Sequence, residues 1–304
     1  MLMAILILLV SIFFLWIGAD WFIESSSYFA RKLHVSELVI GLTVVAFGTS
    51  APEFAVSVGA ALKGHSAISI ANIVGSDIFN LGFILGIVAL FHTLPVEHKL
   101  LRRDGLFLLL ISIALLFVFR DHKFSRPEGF LFLALFLAYL IVLFFSKGKF
   151  YAEVQVKDLK WKSVPMFLIG LALIILGSHY LVDSASQIAR ALGVSEWLIG
   201  VTVVAAGTST PELATSLVAS FKGRPSLSIG NLIGSDIFNI AGVLGLAASL
   251  HPMTLSPTYS TSLYLLVGMI VLLLFFMRTQ WKLTRWEGAV LILFGLFRWL
   301  VNIF

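Results

Sequence analysis

The sequence has no cysteine and little charge. Of its 304 residues none is Cys, and only 12% are Asp, Glu, Lys or Arg. The missing thiols exclude disulfide bonds, thiolate metal sites and cysteine nucleophiles. The hydrolase motifs HExxH and GxSxG are also missing, so we do not expect an enzyme. A soluble domain carries about 25% charged residues, and a charged fraction this small leaves no room for one.

What remains is mostly apolar. Hydrophobic residues make up 59% of the chain, and they form runs of the length that crosses the bilayer core as an α-helix, about 20 residues. Barrel strands would alternate over about ten residues, and no such alternation is present. The net charge of +5 is explained by basic residues in short loops, so nucleic acid is not an expected partner. The predicted class is an all-α integral membrane protein that works in a lipid bilayer.

Charged and Pro/Gly breaks between the apolar runs predict ten transmembrane helices. They are expected at 3–28, 37–61, 68–91, 104–119, 127–146, 164–190, 196–220, 227–250, 259–277 and 286–303. The first run has no basic segment before it and is too long for a signal peptide, so it is interpreted as a span. The charged linker at 147–163 divides the chain into two five-helix domains, 1–146 and 164–304.

The two halves repeat one another. At a shift of 159 positions, residues 35–80 align without a gap with 194–239, and 28 of the 46 pairs are identical. GTSAPE at 48–53 matches GTSTPE at 207–212, and GSDIFN occurs in both halves. Agreement of this length indicates a duplication. Because five spans is an odd number, the second half enters the membrane from the opposite side, as in the inverted repeats of secondary transporters.

The basic residues predict the orientation of the chain. With ten spans, 15 of the 21 Lys and Arg residues fall on the side that holds the 147–163 linker. The positive-inside rule therefore places this linker in the cytoplasm and both termini outside the cell. The expected location is the cell membrane, which the chain crosses several times.

A polar break interrupts an apolar span in each half. Pro52 lacks an N–H and clashes with the preceding turn, so the helix is interrupted there and carbonyl groups are freed. Freed backbone groups must face a protein cavity rather than lipid. Thr49 and Glu53 are four residues apart and fall on nearly one face of a helix. Thr208 and Glu212 repeat this arrangement in the second half.

The following span of each half adds a second polar face, spaced every four residues. Its members are Asn72, Ser76 and Asn80 in the first half and Asn231, Ser235 and Asn239 in the second. Together with two glutamates and loose carbonyls they form an all-oxygen set without imidazole or sulfur. Such a set suits Ca²⁺, which takes 6–8 oxygen ligands, or Na⁺, and does not suit zinc or copper.

These paired motifs in two inverted halves resemble the α-repeats of the calcium/cation antiporter superfamily, and are most similar to its prokaryotic sodium/calcium exchangers. The resemblance implies Ca²⁺/Na⁺ antiport by alternating access, with sliding of the first and sixth helices and no cofactor besides the transported ions. Because both half-sites lie in one chain, we expect a functional monomer. The resemblance implies ligands at Thr49, Ser50, Glu53, Ser76, Asn80, Thr208, Ser209, Glu212, Ser235 and Asn239, and at the carbonyls of Ala46 and Ala205.

Two alternatives stay open beside Na⁺ exchange. A Ca²⁺/H⁺ exchanger could use the same scaffold, although two site glutamates among many neutral oxygens favour Na⁺. A cation channel is a less favoured alternative, because there is no ring of repeated pore loops. Some relatives carry Asp where this chain has Asn239, and the asparagine argues against potassium dependence.

Other acidic residues have less definite predicted roles. Asp77 and Asp236 each follow a predicted site serine, about 100° further around the helix. An Asp inside a membrane is functional by default, and both direct ion binding and a hydrogen-bonded or gate-lining role are open. Asp20, Glu24 and Asp183 lie near span ends and are interpreted either as solvated or as part of an ion vestibule.

Overall fold

Nearly all of the described chain is helical, because in lipid a backbone must satisfy its own N–H and C=O groups. The computed structural model describes residues 1–145, 160–194, 205–254 and 260–303. Its helices are α1 (Leu2–Lys32), α2 (Glu37–Thr49), α3 (Ala51–Leu62), α4 (Ser66–Phe91), α5 (100–118), α6 (Arg126–Phe145), α7 (Ser163–Ala191), α8 (Ala205–Gly207), α9 (Thr210–Phe221), α10 (Pro225–Leu250), α11 (Ser260–Gln280) and α12 (Arg285–Ile303).

Six of the described helices are long and apolar enough to cross a membrane. They become seven when α2 and α3, which meet at a bend of 54°, are counted as one broken span. The helices coincide with the predicted spans except at some ends: α1 runs to Lys32 and α5 begins four residues before its prediction. Part of the predicted span at 196–220 lies outside the described residues. A helical membrane protein is therefore confirmed, while the count of ten stays a prediction.

Short strands modify the all-α prediction. The strand β1 (Leu94–Pro95) pairs antiparallel with β4 (Lys282–Leu283), and β2 (Lys123–Phe124) pairs with β3 (Met253–Thr254). One residue of each strand is buried (Leu94, Phe124, Met253 and Leu283), and the pairing satisfies backbone groups of these loop segments. The shift of 159 maps β1 onto β3 and β2 onto β4. Each ladder thus joins one half of the sequence to the other, and the two ladders are equivalent.

The helices differ in how deeply they are buried. In their most apolar stretches, α10 is 89% buried and α4 is 72% buried, whereas α1 and α7 are only 28% and 22% buried. The α1 and α7 helices pack against each other at the edge. At their crossing a Cβ on Gly18 would lie 2.8 Å from the carbonyl oxygen of Gly170. The polar motifs of α4 and α10 therefore lie at the centre of the bundle.

Wider, π-helical turns interrupt the two central helices. They occupy Asn80–Ile84 in α4 and Phe238–Leu244 in α10, which are repeat-equivalent positions. Such turns occur frequently at functional sites, because they redirect side chains and loosen the backbone ladder. Of the predicted site residues, Asn80 is the first residue of the turn in α4, and Asn239 is the second residue of the turn in α10.

Candidate cation-binding site

The polar breaks place a glutamate in the first turn of a helix in each half. Ser50 separates α2 from α3 with φ −82° and ψ 12°, and Ser209 precedes α9 with φ −86° and ψ 7°. A proline follows each serine two residues later, where a helix has no intrahelical partner for the missing N–H. The free N–H groups of the first turn favour a negative charge. Glu53 and Glu212 are the carboxylates at these positions, and both are fully buried.

Serines and glutamates pair across the two halves. The Ser50 hydroxyl donates to Oε1 of Glu212 at 2.8 Å, and the Ser209 hydroxyl donates to Oε1 of Glu53 at 3.3 Å. Ser235 also lies 3.5 Å from Oε1 of Glu212. The sequence groups each serine with the glutamate of its own motif, whereas the structure pairs it with the other one. A single cluster is therefore built from both halves of the chain.

The central helices add a second crossed set of hydrogen bonds. The amide nitrogen of Asn80 donates to Oδ1 of Asp236 at 3.0 Å, and that of Asn239 donates to Oδ1 of Asp77 at 2.9 Å. The Asn239 nitrogen also lies 3.4 Å from Oγ of Ser76. All five side chains are buried. Asp77 and Asp236 are thus hydrogen-bonded within the protein, while the choice between the two roles stays a prediction.

The buried cluster has more oxygen acceptors than donors. The oxygens without a hydrogen-bond partner are Oε2 of Glu53 and Glu212, Oδ2 of Asp77 and Asp236, Oδ1 of Asn80 and Asn239, and Oγ1 of Thr208. No Lys or Arg among the described residues forms an ion pair with these four carboxylates. Buried carboxylates without a positive partner are costly. The chemistry of this oxygen cluster matches a hard cation.

Carboxylates alone do not complete this site. Among the described residues no three His, Asp or Glu side chains are arranged to hold a metal ion. The neutral amide and hydroxyl oxygens must therefore supply much of any coordination shell. This is consistent with Ca²⁺ or Na⁺, which accept neutral oxygens, rather than with a transition metal.

The remaining predicted ligands lie beside the cluster in different states. The Thr49 hydroxyl is 3.3 Å from the Ala46 carbonyl and 3.2 Å from Oδ1 of Asn231. The Ala46 carbonyl also accepts the Ser50 N–H at 3.0 Å. Ala205 is the first residue of α8, directly after a part of the chain outside the described residues. Hydrogen bonds within the protein thus already engage Thr49 and Ala46.

Two asparagines of the predicted polar face connect neighbouring helices instead. The Asn72 amide nitrogen donates to the Ser57 hydroxyl of α3 at 2.9 Å. The Asn231 nitrogen donates at 3.0 Å to both Thr215 and Ser216 of α9. These repeat-equivalent bonds fasten each broken helix to the central helix that follows it.

An ion-pair network at one end of the bundle was not predicted. Lys222 lies 2.6 Å from Asp20 and 2.7 Å from Glu24, and Arg224 lies 3.4 Å from Glu24 and 3.2 Å from Glu37. It ties α1 and α2 to the loop between α9 and α10. Basic side chains pair with both Asp20 and Glu24, and 35% of the Asp20 side chain is exposed. The interpretation of these carboxylates as a solvated end or as part of an ion vestibule stays a prediction.

The repeat holds a signal that could have revealed this network. The equivalents of Asp20 and Glu24 are His179 and Asp183, and the equivalent of Arg224 is His65. His179 and Asp183 lie 3.4 Å apart with more than half of each side chain exposed. Asp20 and Arg224 thus each correspond to a histidine in the other half, whereas Glu24 and Asp183 are both acidic, and among the described residues the network of four ion pairs is found at one end.

Apolar helices around a buried, acidic and oxygen-rich cluster define a membrane protein of the cation-handling class. The chain belongs to the sodium/calcium exchanger protein family, whose model matches residues 3–145 and 162–301.

Individual relatives agree over nearly the whole chain. It is 35% identical to sodium/calcium exchanger MaX1 of Methanosarcina acetivorans, with 95% of each chain covered. It is 36% identical to inner membrane protein YrbG of Escherichia coli K12, covering 100% of this chain and 98% of YrbG. The solved structure of the sodium-calcium exchanger NCX_Mj superimposes with a TM-score of 0.86 at 32% identity, covering 97% of both chains.

Proposed function

We propose that this protein is a secondary active antiporter that exchanges Ca²⁺ for Na⁺ across the cell membrane by alternating access. The observation that carries the proposal is the crossed pairing of Ser50 with Glu212 and of Ser209 with Glu53. One cluster made from both halves lets a relative movement of the halves open it to either side. Membership of the exchanger family and the likeness to NCX_Mj support the same activity.

The buried glutamates account for coupling between the two ions. Glu53 and Glu212 together carry two negative charges, which one Ca²⁺ or two Na⁺ would neutralise. Two ionised and empty carboxylates inside a membrane would cost at least about 2.5 kcal/mol each. The conformational change is therefore favourable only with cations bound, and this requirement makes the protein an exchanger rather than a leak.

The same proposal extends to the ligand set and the architecture. The ligands of the transported ions are the two glutamates with Thr49, Ser50, Ser76, Asn80, Thr208, Ser209, Ser235, Asn239 and the carbonyls of Ala46 and Ala205. The chain forms ten spans as two inverted five-helix repeats, with both termini outside and a functional monomer as the unit. The equivalent ladders β1–β4 and β2–β3 support a twofold relation between the halves.

Transport by purified protein in Na⁺-loaded liposomes tests this function. Labelled Ca²⁺ should accumulate when external Na⁺ is removed, and Glu53→Gln or Glu212→Gln should abolish uptake. Glu128→Gln is the matched control, because Glu128 caps the start of α6 by accepting from the Ser125 N–H at 2.8 Å. That variant should transport normally.

Three outcomes contradict the proposal in different ways. Uptake driven by a pH gradient and not by a Na⁺ gradient would establish the Ca²⁺/H⁺ alternative. Normal uptake by both site variants would remove the glutamates from the mechanism. Ca²⁺ that only equilibrates, without moving against its own gradient, would indicate a channel.

A further inference from the structure

We propose that Asp77 and Asp236 are positioning residues, each of which turns the amide of a site asparagine in the opposite half so that its oxygen faces the cation. Asp77 acts on Asn239, and Asp236 acts on Asn80. The inference rests on the proposed function and goes beyond it, because it assigns a role to two carboxylates outside the proposed ligand set.

The chemistry of the partners determines the amide orientation. A side-chain amide has a donor end and an acceptor end of nearly equal size, so only its hydrogen-bond partners decide which way it points. A carboxyl oxygen that carries no proton only accepts hydrogen bonds. Oδ1 of Asp77 therefore selects the amide nitrogen of Asn239, at 2.9 Å, and Oδ1 of Asp236 selects that of Asn80, at 3.0 Å.

The opposite end of each amide is left available. Oδ1 of Asn80 and Oδ1 of Asn239 are both buried without a hydrogen-bond partner. An amide oxygen without a donor in the interior is unfavourable unless another positive group meets it. A flipped amide would direct two N–H donors at the cation instead. The aspartates thus fix the orientation of each asparagine amide, so that its oxygen serves as the ligand.

Helix geometry allows adjacent residues, a serine and an aspartate, to face the cluster and the opposite central helix respectively. Adjacent residues on a helix point about 100° apart. Ser76 can therefore face the cluster while Asp77 faces α10, and Ser235 and Asp236 do the same toward α4. The bond occurs twice, at equivalent positions of both halves, whereas the Lys222 and Arg224 ion pairs occur once.

A third buried aspartate shows the contrast with a structural carboxylate. Asp104 is fully buried, pairs with Arg103 at 2.7 Å and accepts the Tyr139 hydroxyl at 3.0 Å. Its charge is compensated within the protein. Asp77 and Asp236 have no basic partner among the described residues; they face one another and accept from the two asparagine amides.

Equilibrium Ca²⁺ binding to detergent-purified protein, measured by titration calorimetry, tests the inference. Removing partners that orient metal ligands typically weakens affinity about 10- to 100-fold, and Asp77→Asn should fall in this range. An asparagine at this position can present either end of its own amide, so it no longer selects the nitrogen of Asn239. Asp104→Asn is the matched control, a buried carboxylate that pairs with Arg103 and Tyr139 and has no hydrogen bond to either amide, and should bind like wild type.

A double-mutant cycle separates positioning from direct ligation. If Asp77 acts through Asn239, Asp77→Asn should cost much less affinity in an Asn239→Ala background than in wild type. Equal costs in the two backgrounds would overturn the inference. Infrared difference spectra give a second readout: a Ca²⁺-induced shift of the side-chain amide C=O band should be weaker in Asn239→Ala and in Asp77→Asn than in wild type, because only Asn80, held by Asp236, still contributes to it. An undiminished shift in Asp77→Asn would also overturn the inference.

The inference and the proposed function fail in distinguishable ways. If wild-type protein neither binds nor exchanges Ca²⁺, the proposed function fails and the inference fails with it. If wild type exchanges Ca²⁺ and Asp77→Asn binds it with unchanged affinity, only the positioning role is overturned.

Discussion

Thr49 and Thr208 are equivalent by repeat, yet their hydroxyls have different surroundings. The Thr49 hydroxyl contacts the Ala46 carbonyl and Oδ1 of Asn231, at 3.3 and 3.2 Å. The Thr208 hydroxyl oxygen is buried and has no hydrogen-bond partner. At the scale of single residues, Thr49 therefore contributes to helix packing as well as to the cluster, whereas Thr208 faces the Glu53 carboxylate of the cluster.

This difference predicts two outcomes for the same isosteric change. Thr208→Val should raise the Na⁺ concentration needed for half-maximal exchange by about tenfold, equivalent to 1.4 kcal/mol. It should leave the free energy of unfolding nearly unchanged. Thr49→Val should also lower the free energy of unfolding by about 1–3 kcal/mol, because it leaves the Asn231 oxygen without a donor. Transport measured at a series of Na⁺ concentrations tests the effect on ion binding, and denaturant unfolding in detergent tests the effect on stability. Equal stability losses would contradict the assignment.

Sequence reasoning identified the members of the candidate site better than its pairings. The repeated motifs, the proline breaks and the four-residue spacing marked Glu53 and Glu212 without any structure. The crossed partners, Ser50 with Glu212 and Asp77 with Asn239, could not be predicted in this way. Spacing along a helix says which residues share a face, whereas pairing depends on how two distant helices approach each other.

At the scale of helices, α2 reaches the centre of the bundle because α10 has glycine where they cross. A Cβ on Gly234 would lie 2.6 Å from both Cα and the carbonyl oxygen of Leu42, closer than real contacts allow. The obstacle is backbone, which cannot rotate aside. Ser235 and Asp236 follow directly in α10, so the close crossing also fixes where these side chains meet the cluster.

Gly234→Ala should therefore push the two helices apart. Overpacking of a well-packed contact typically costs about 1–3 kcal/mol, and Ca²⁺ affinity should fall as well because the cluster moves. Gly59→Ala is the control: no atom lies within 4 Å of its added Cβ, and alanine is the better helix former by about 1 kcal/mol. Thermal unfolding and Ca²⁺ titration of both variants give the comparison. A Gly234→Ala protein as stable as the control would show that the crossing can relax.

The positions of the helices could be predicted from the sequence better than their ends or their π-helical turns. Apolar runs predicted where helices lie, but α1 continues past the apolar run, through the buried Ala30, to the exposed Lys32. The π-helical turns at 80–84 and 238–244 leave no signature in composition or period.

For the whole molecule, neither half is complete alone. Each of the two strand ladders takes one strand from each half, and every crossed hydrogen bond of the cluster does the same. Because all these partners belong to a single chain, one copy holds a complete cluster. We therefore expect that an antiporter of this design needs no second subunit to bind its ions.

Co-expression of two inactive chains tests this self-sufficiency. One copy carries Glu53→Gln and the other Glu212→Gln, so each chain keeps one intact half. If the crossed pairs form within one chain, as in the structure, the mixture should show no Na⁺-driven Ca²⁺ uptake in liposomes. If halves were exchanged between copies, some assemblies would unite both intact halves, and uptake would return. Wild type mixed with Glu53→Gln is the control, and its uptake should rise in direct proportion to the wild-type fraction, because each copy works independently.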